Sequence, residues 1–312
     1  MRPRRLAGIF GAAYNVWAFT DAAVLAMLLA GCVTGPTAQI QYFGKAFDAV
    51  NTVGQPLLDD LSVGERQLGL ANAAAGKPCP HATVTSGGSS VLLGFCNDEA
   101  GIFSNQGDPP ATEKFRGGLA VLHSFVDLLI SLSSGASAAD AVAQVNSLSQ
   151  QISSLVDTVA GPAGTAGINT ALTALQPLLK QAANQLTVEE VRAVIMQADT
   201  LVANLIDALA SSAPYVFDTV ARSTQLRLGQ RNSPTFLADK AKYESYRTIV
   251  SNYVVLLHKL HDAWEQTVAA VKSPAPLSLA QVANSVGQIQ AYADATLRVY
   301  AVLRTGAAPA SP

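Results

Sequence analysis

Residues 243–264 read YESYRTIVSNYVVLLHKLHDAW, and their spacing decides the fold class. Tyr243, Tyr246, Val250, Tyr253, Leu257, Leu260 and Trp264 recur in alternating steps of three and four. That rhythm keeps one stripe on one side of a helix, as knobs-into-holes packing requires. The run extends from Pro234 to Lys272. Ser233 offers a capping oxygen and Pro234 a preset first turn.

The same period recurs on both sides. Upstream, Thr187-Val188-Glu189-Glu190 has the pattern of a capping box, opening a run through Val191, Ile195, Ala198, Val202, Leu205 and Leu209. Val194, Leu201 and Ile206 widen that stripe, which predicts a central helix with neighbours on two sides, ended or kinked by Pro214 near Ser212. Downstream, Ser278 and Gln281 suggest a second capping box before Leu279, Val282, Val286, Ile289, Ala293, Tyr300 and Leu303. Shorter runs lie at Leu119–Leu129, at Val142–Val159 and at Ile168–Leu179. The first, marked by Ile40, Phe43, Phe47 and Val50, is expected to break at Pro56. Connections are short, so neighbours should run antiparallel. The expected fold is all-α: one elongated antiparallel bundle of about six to seven helices over residues 38–305, followed by a disordered Pro/Ala tail at 306–312.

Composition agrees with close helix packing. Charged residues make up 13% of the 312, against roughly 25% in ordinary soluble domains. Hydrophobic residues reach 49% with only 6% aromatic, so Ala, Val and Leu carry most of the apolar mass. Removing Arg2, Arg4, Arg5 and Asp21 with a leader takes the 20 basic and 22 acidic side chains to 17 and 21, about −4. Such a surface offers no electrostatic footprint for nucleic acid and little attraction to anionic lipid.

Residues 1–31 have the order of a signal peptide: the positive start Arg2, Arg4, Arg5, then an apolar run from Ala22 to Ala30, then Gly31-Cys32. The arginine pair Arg4-Arg5 leaves a twin-arginine export route open. Asp21 limits the apolar run to nine residues, short of the ~20 a spanning helix needs. Leu29-Ala30-Gly31-Cys32 resembles the lipobox of bacterial lipoproteins at every position. The resemblance implies cleavage before Cys32 and acylation of its thiol with diacylglycerol and palmitate-type chains. Val33, where the class uses Asp for inner-membrane retention, implies outer-membrane sorting. Residues 32–37 then form a tether spanning at most about 17 Å, which keeps the body near the membrane. No other run reads as long and apolar enough to span.

Two cysteines remain in the body, Cys79 and Cys96. They bracket β-prone Ala82-Thr83-Val84 and Val91-Leu92-Leu93 with Gly87-Gly88 between them. In an exported chain this predicts a disulfide-pinned hairpin or loop at 79–96, its closure contributing about 3 kcal/mol in the chain-entropy model. His81 alone does not complete a metal site there.

Candidate chemistry is sparse. His258, His261, Asp262 and Glu265 fall within two turns of one helix, but a metal site needs ligands from a second helix, and a solvated polar face is the expectation. Asn97, Asp98, Glu99, Asn105 and Asp108 collect oxygen donors without the alternating spacing of a calcium loop. Gly161, Gly164 and Gly167 lack the preceding strand of a phosphate loop and read as a helix connection. No serine sits in a nucleophile elbow. The tyrosine stripe is expected in the core with hydroxyls directed outward; alternatively it lines a cavity for an apolar molecule. The expected function is therefore non-catalytic, with no cofactor and no metal: a lipid-anchored envelope scaffold that binds a protein partner. The alternative is a tethered carrier for a lipid or other apolar ligand.

Overall fold

The computed structural model describes residues 36–77, 79–80, 82–158, 163–185, 187–228, 236–272 and 276–305. The leader, Cys32, Val33, His81, Gly161, Ser233-Pro234 and the 306–312 tail lie outside them. Along the chain come α1 (Pro36–Ala74), the strands β1 (Ala82–Ser86) and β2 (Ser89–Leu93), and a short α2 (Ala100–Phe103). Then follow α3 (Pro110–Ser133), α4 (Ala138–Thr158), α5 (Ala166–Ala183), α6 (Val188–Ile195), α7 (Asp199–Leu228), α8 (Phe236–Lys272) and α9 (Pro276–Thr305). The architecture is the expected elongated helical bundle; α1 alone, at 39 residues, is roughly 58 Å long.

The first helix shares the centre with α7, which holds residues 199–209 of the run expected to be central and packs against α1, α5 and α8. α1 packs against α3, α7, α8 and α9. Its residues Phe43, Phe47, Val50, Val53, Leu57, Leu58 and Leu61 are all buried. Pro56 does not break it. An interior proline costs ~3 kcal/mol by removing one backbone bond and crowding the previous turn. Four neighbouring helices hold both halves of α1, and burial of Leu57 and Leu58 alone returns a comparable amount. Pro214 is likewise absorbed inside α7, between buried Ala213 and Val216.

The 187–209 run divides. Its capping box forms as expected, with the Glu190 amide on Thr187 Oγ1 at 3.2 Å and the Thr187 amide on Glu190 Oε2 at 3.1 Å. α6 then ends at Ile195, a 3₁₀ turn covers Met196–Ala198, and α7 begins at Asp199, whose carboxylate accepts the Thr200 amide at 2.7 Å. At the other end of the bundle α9 starts at Pro276, two residues before Ser278, so Ser278 is not its cap.

α1 also joins two helix groups. α8 and α9 pack on one side of it, and α3, α4 and α5 close a ring with α7 on the other. The crossings are tight. An added Cβ at Gly54 would lie 2.7 Å from the Tyr253 hydroxyl, so α1 and α8 approach as closely as they do because position 54 has no side chain. Tyr246 and Tyr253 are core residues, as expected, but their hydroxyls are buried and, among the described residues, unpartnered rather than directed outward. Tyr243, the third tyrosine of the stripe, donates to the Ala221 carbonyl at 3.2 Å. Two helical stretches, Pro110–Ser133 and Met196–Thr224, have mean hydropathies of 1.4 and 1.2 and are long enough to cross a membrane, which the sequence reading did not anticipate. Their apolar character comes from one buried stripe flanked by small neutral residues; 56% and 50% of those windows are buried in the bundle.

Candidate functional site

The C-terminal end of α1 carries the features that a helical core does not require. β1 and β2 pair antiparallel with Val84 opposite Val91 and Ser86 opposite Ser89. Gly87 and Gly88 have φ of 59° and 82°, the two positive values of a type I′ turn, whose twist matches the strands it joins. Cys79 and Cys96 close the base as a disulfide, their Cα atoms 6.6 Å apart. The strands pack on each other and not on the bundle: Val84, Val91, Leu93 and Phe95 are all more than half exposed. The disulfide therefore constrains the hairpin locally.

Behind the hairpin, residues 97–108 form a loop clamped by two consecutive residues of α1. The Arg66 guanidinium donates to the carbonyls of Ile102 at 3.0 Å, of Ser104, and of Gly107 at 2.8 Å. The Glu65 carboxylate accepts the Ala111 amide at 2.9 Å and both the amide and hydroxyl of Thr112 at 2.7 Å. It supplies from another helix the cap that Pro109 cannot give to α3. Burial raises the Glu65 carboxyl above its usual 4.5, outweighing these donors. Arg116 of α3 ties the loop further through Asp108 Oδ2 at 2.8 Å and reaches back to Gln55 Oε1 at 2.9 Å. Between them lies an open groove of about 640 Å³ lined by Ser104, Gln106, Asp108, Glu113 and Arg116.

The oxygen-rich loop residues do not converge. Asp108 is paired with Arg116, the Asn105 side chain accepts from Gln106 at 3.0 Å, and the Glu99 carboxylate closes its own turn on the Cys96 amide at 3.2 Å. Cys79, Cys96 and Glu99 do come together, the one such group among the described residues. With both sulfurs in a disulfide, no thiolate is left to ligate a metal. Gly164 belongs to a 3₁₀ turn against Tyr215, a helix connection as expected.

The four-residue polar set on α8 is split as well. His258 and Asp262 are exposed. His261 Nδ1 meets Asp207 of α7 at 2.7 Å, and its Nε2 meets Glu265 at 3.4 Å. Sequence spacing could not reveal Asp207, which is 54 residues away. Carboxylates on opposite ring nitrogens suit an imidazolium, not a metal ligand. Burial lowers the imidazole pKa, but the hydrogen bond and charge of Asp207, with Glu265, more than offset this and leave it raised above 6.5. Because the folded value exceeds the unfolded one, the ion pair contributes stability below pH 6.5 and loses it as pH rises through the folded value. Wild type should thus lose up to about 1 kcal/mol relative to Asp207→Asn between pH 6 and 8. Melting temperatures that run parallel for the two across this range would contradict the assignment.

A second polar knot joins α1 and α9. Asp60 of α1 accepts from the Tyr300 hydroxyl at 2.7 Å and from Arg304 at 2.7 Å, while Tyr300 also reaches the Pro56 carbonyl at 3.1 Å. Burial, then the Asp60 carboxylate, hold the Tyr300 proton well above the usual tyrosine range. Beside it opens a groove of about 400 Å³ lined by Asp59, Asp60, Gly64, Val220, Ser223 and Arg304. Its charges are already paired, Asp59 with Arg116 and Asp60 with Arg304.

Glu65, Arg66 and Arg116 were missed at the sequence level. The available signal was the cluster Asp59, Asp60, Glu65 and Arg66 on one apolar helix of a chain with only 13% charged residues. Searches of protein-family models, curated proteins and solved structures found no match to this chain.

Proposed function

We propose that the protein is a non-catalytic scaffold of the bacterial cell envelope, acylated at Cys32 and sorted to the periplasmic face of the outer membrane, that binds a protein partner through its surface. The address rests on the lipobox-like Leu29-Ala30-Gly31-Cys32 and on Val33. The observation that carries the scaffold reading is the filled bundle axis. Phe43, Phe47, Phe125, Tyr253 and Trp264, from α1, α3 and α8, are all at most 3% exposed, and Trp264 sits 5.1 Å from Phe43 and 5.9 Å from Phe125, ring centre to ring centre. A carrier for an apolar ligand needs that volume open. The two grooves described above are open to solvent instead, which favours surface recognition over enclosure.

The test is metabolic labelling with radioactive palmitate, followed by envelope fractionation of wild type and Cys32→Ser. Label in the wild type, with loss of both label and outer-membrane fractionation in the variant, is the expected result. An unlabelled wild type, or a variant that matures and fractionates unchanged, overturns the address. Crosslinking of the anchored protein in intact envelopes then tests the scaffold role. A chain that crosslinks to no protein at all argues against it.

A further inference from the structure

The hairpin is an exposed strand pair without the usual edge protection. In a hairpin closed by a two-residue turn, Ser86/Ser89 and Val84/Val91 exchange hydrogen bonds, so the intervening residues of β2, Ser90 and Leu92, turn their N–H and C=O groups outward. Among the described residues no further strand pairs with β2. Natural edge strands are blunted with Lys, Pro, bulges or a covering element. Neither strand contains Lys or Pro, and residues 82–97 carry no charged side chain. The face formed by Val84, Val91 and Leu93 is apolar and open, with Phe95 and Phe103 in ring contact at 6.0 Å nearby.

These features select the occupant. Lipid would cover the apolar face but leave the outward N–H and C=O groups without partners, which hydrocarbon penalises heavily. A charged protein surface would meet no opposite charge. An uncharged strand satisfies both the edge and the face. The edge also accepts its own copy: an antiparallel second strand centred on Val91 sets Ser90 opposite Leu92 on both sides, and with no charged residue in 82–97 the two copies meet no repulsion.

We propose that two copies of this chain pair through β2, in the order β1-β2-β2-β1. Ser90 of each strand exchanges hydrogen bonds with Leu92 of the other, and the two Val91 side chains meet at the two-fold axis. The disulfide and the type I′ turn preorganise the strand, so little ordering accompanies pairing. Two five-residue strands bury far less than the ~1,200 Å² of a stable soluble interface, so pairing is weak in free solution and strengthens where a membrane anchor concentrates the chains. The proposal names a partner for the scaffold reading, and only this strengthening rests on that reading.

Sedimentation velocity over a concentration series tests it on two forms, both in detergent: the full mature lipidated chain and the Cys32→Ser chain. Reversible dimers are expected in both, so a failed anchor assignment and failed pairing are told apart. Val91→Lys and Val91→Glu place like charges face to face at the axis; each should weaken dimerisation at least tenfold, and an equimolar mixture should restore it. Leu92→Pro deletes only an outward N–H, which an edge tolerates, and should weaken pairing to the same extent, with the disulfide and the Val84 and Val91 amide protection retained. Wild type that stays monomeric at every concentration sinks the proposal. So does a charge-reversed mixture that does not pair, or an intact Leu92→Pro hairpin that dimerises like wild type.

Discussion

Trp264→Ala is expected to lower the free energy of unfolding by about 4 kcal/mol, within the range for deleting a buried large aromatic. The indole is 3% exposed and wedged between Phe43 of α1 and Phe125 of α3. Its N–H donates to the Asp199 carbonyl at 2.8 Å, where α7 restarts after the 3₁₀ turn. One side chain therefore ties four helices, and its removal leaves a void at their junction that rigid helices close only in part. Denaturant titration should show a lower midpoint with an unchanged slope. Trp264→Phe, which keeps an aromatic ring but loses the hydrogen bond, should cost less than half as much. A loss below about 1.5 kcal/mol for the alanine variant would mean the junction collapses and that the axis is less rigidly filled than its packing implies.

The same junction shows what the sequence could and could not convey. Trp264 was legible as a core residue because the three-four step that places it is a local property of one helix. Its partners were not, since Phe43 and Asp199 reach it from helices with no fixed offset to α8. Local chemistry was readable elsewhere too: the Thr187–Glu190 capping box and the Gly87-Gly88 turn between bracketing cysteines each depend on residues a few positions apart. Pro56 was misread as a break, and Pro214 does not end its helix, because propensity describes an isolated helix, whereas both prolines sit in helices clamped on several sides. The break at Met196–Ala198 was invisible for the opposite reason: the apolar period continues through it, and only Asp199, at the first position of α7, marks the restart. Asp207 beside His261 and Glu65 beneath α3 follow the same rule. Contacts between helices are set by how stripes dock, not by spacing along the chain.

Glu65→Ala should be the largest loss from a polar residue, about 3 kcal/mol at neutral pH. Two buried backbone amides, those of Ala111 and Thr112, and the Thr112 hydroxyl all lose their acceptor at once. Each unsatisfied buried donor costs ~1–3 kcal/mol, and cap removal at a helix start typically costs ~1 kcal/mol. Pro109 offers no side-chain replacement, and the first turn of α3 is buried at Ala111 and Thr112, so water has little access. Glu65→Gln retains one acceptor oxygen but turns an N–H toward a donor, and should fall between wild type and alanine. The pH dependence separates this cap from a simple packing contact. Burial holds the folded carboxyl above 4.5, so the folded chain binds that proton more readily than the unfolded one. Wild type's advantage over Glu65→Ala is then greatest in acid and narrows as pH climbs through the raised value. Hydrogen exchange gives the structural readout: the amides of Ala111 and Thr112 should lose protection first, together with the loop that Arg66 holds at Ile102, Ser104 and Gly107, while the Phe43–Trp264 junction stays protected. If protection falls uniformly along the bundle instead, Glu65 is stabilising the whole fold and not the start of α3.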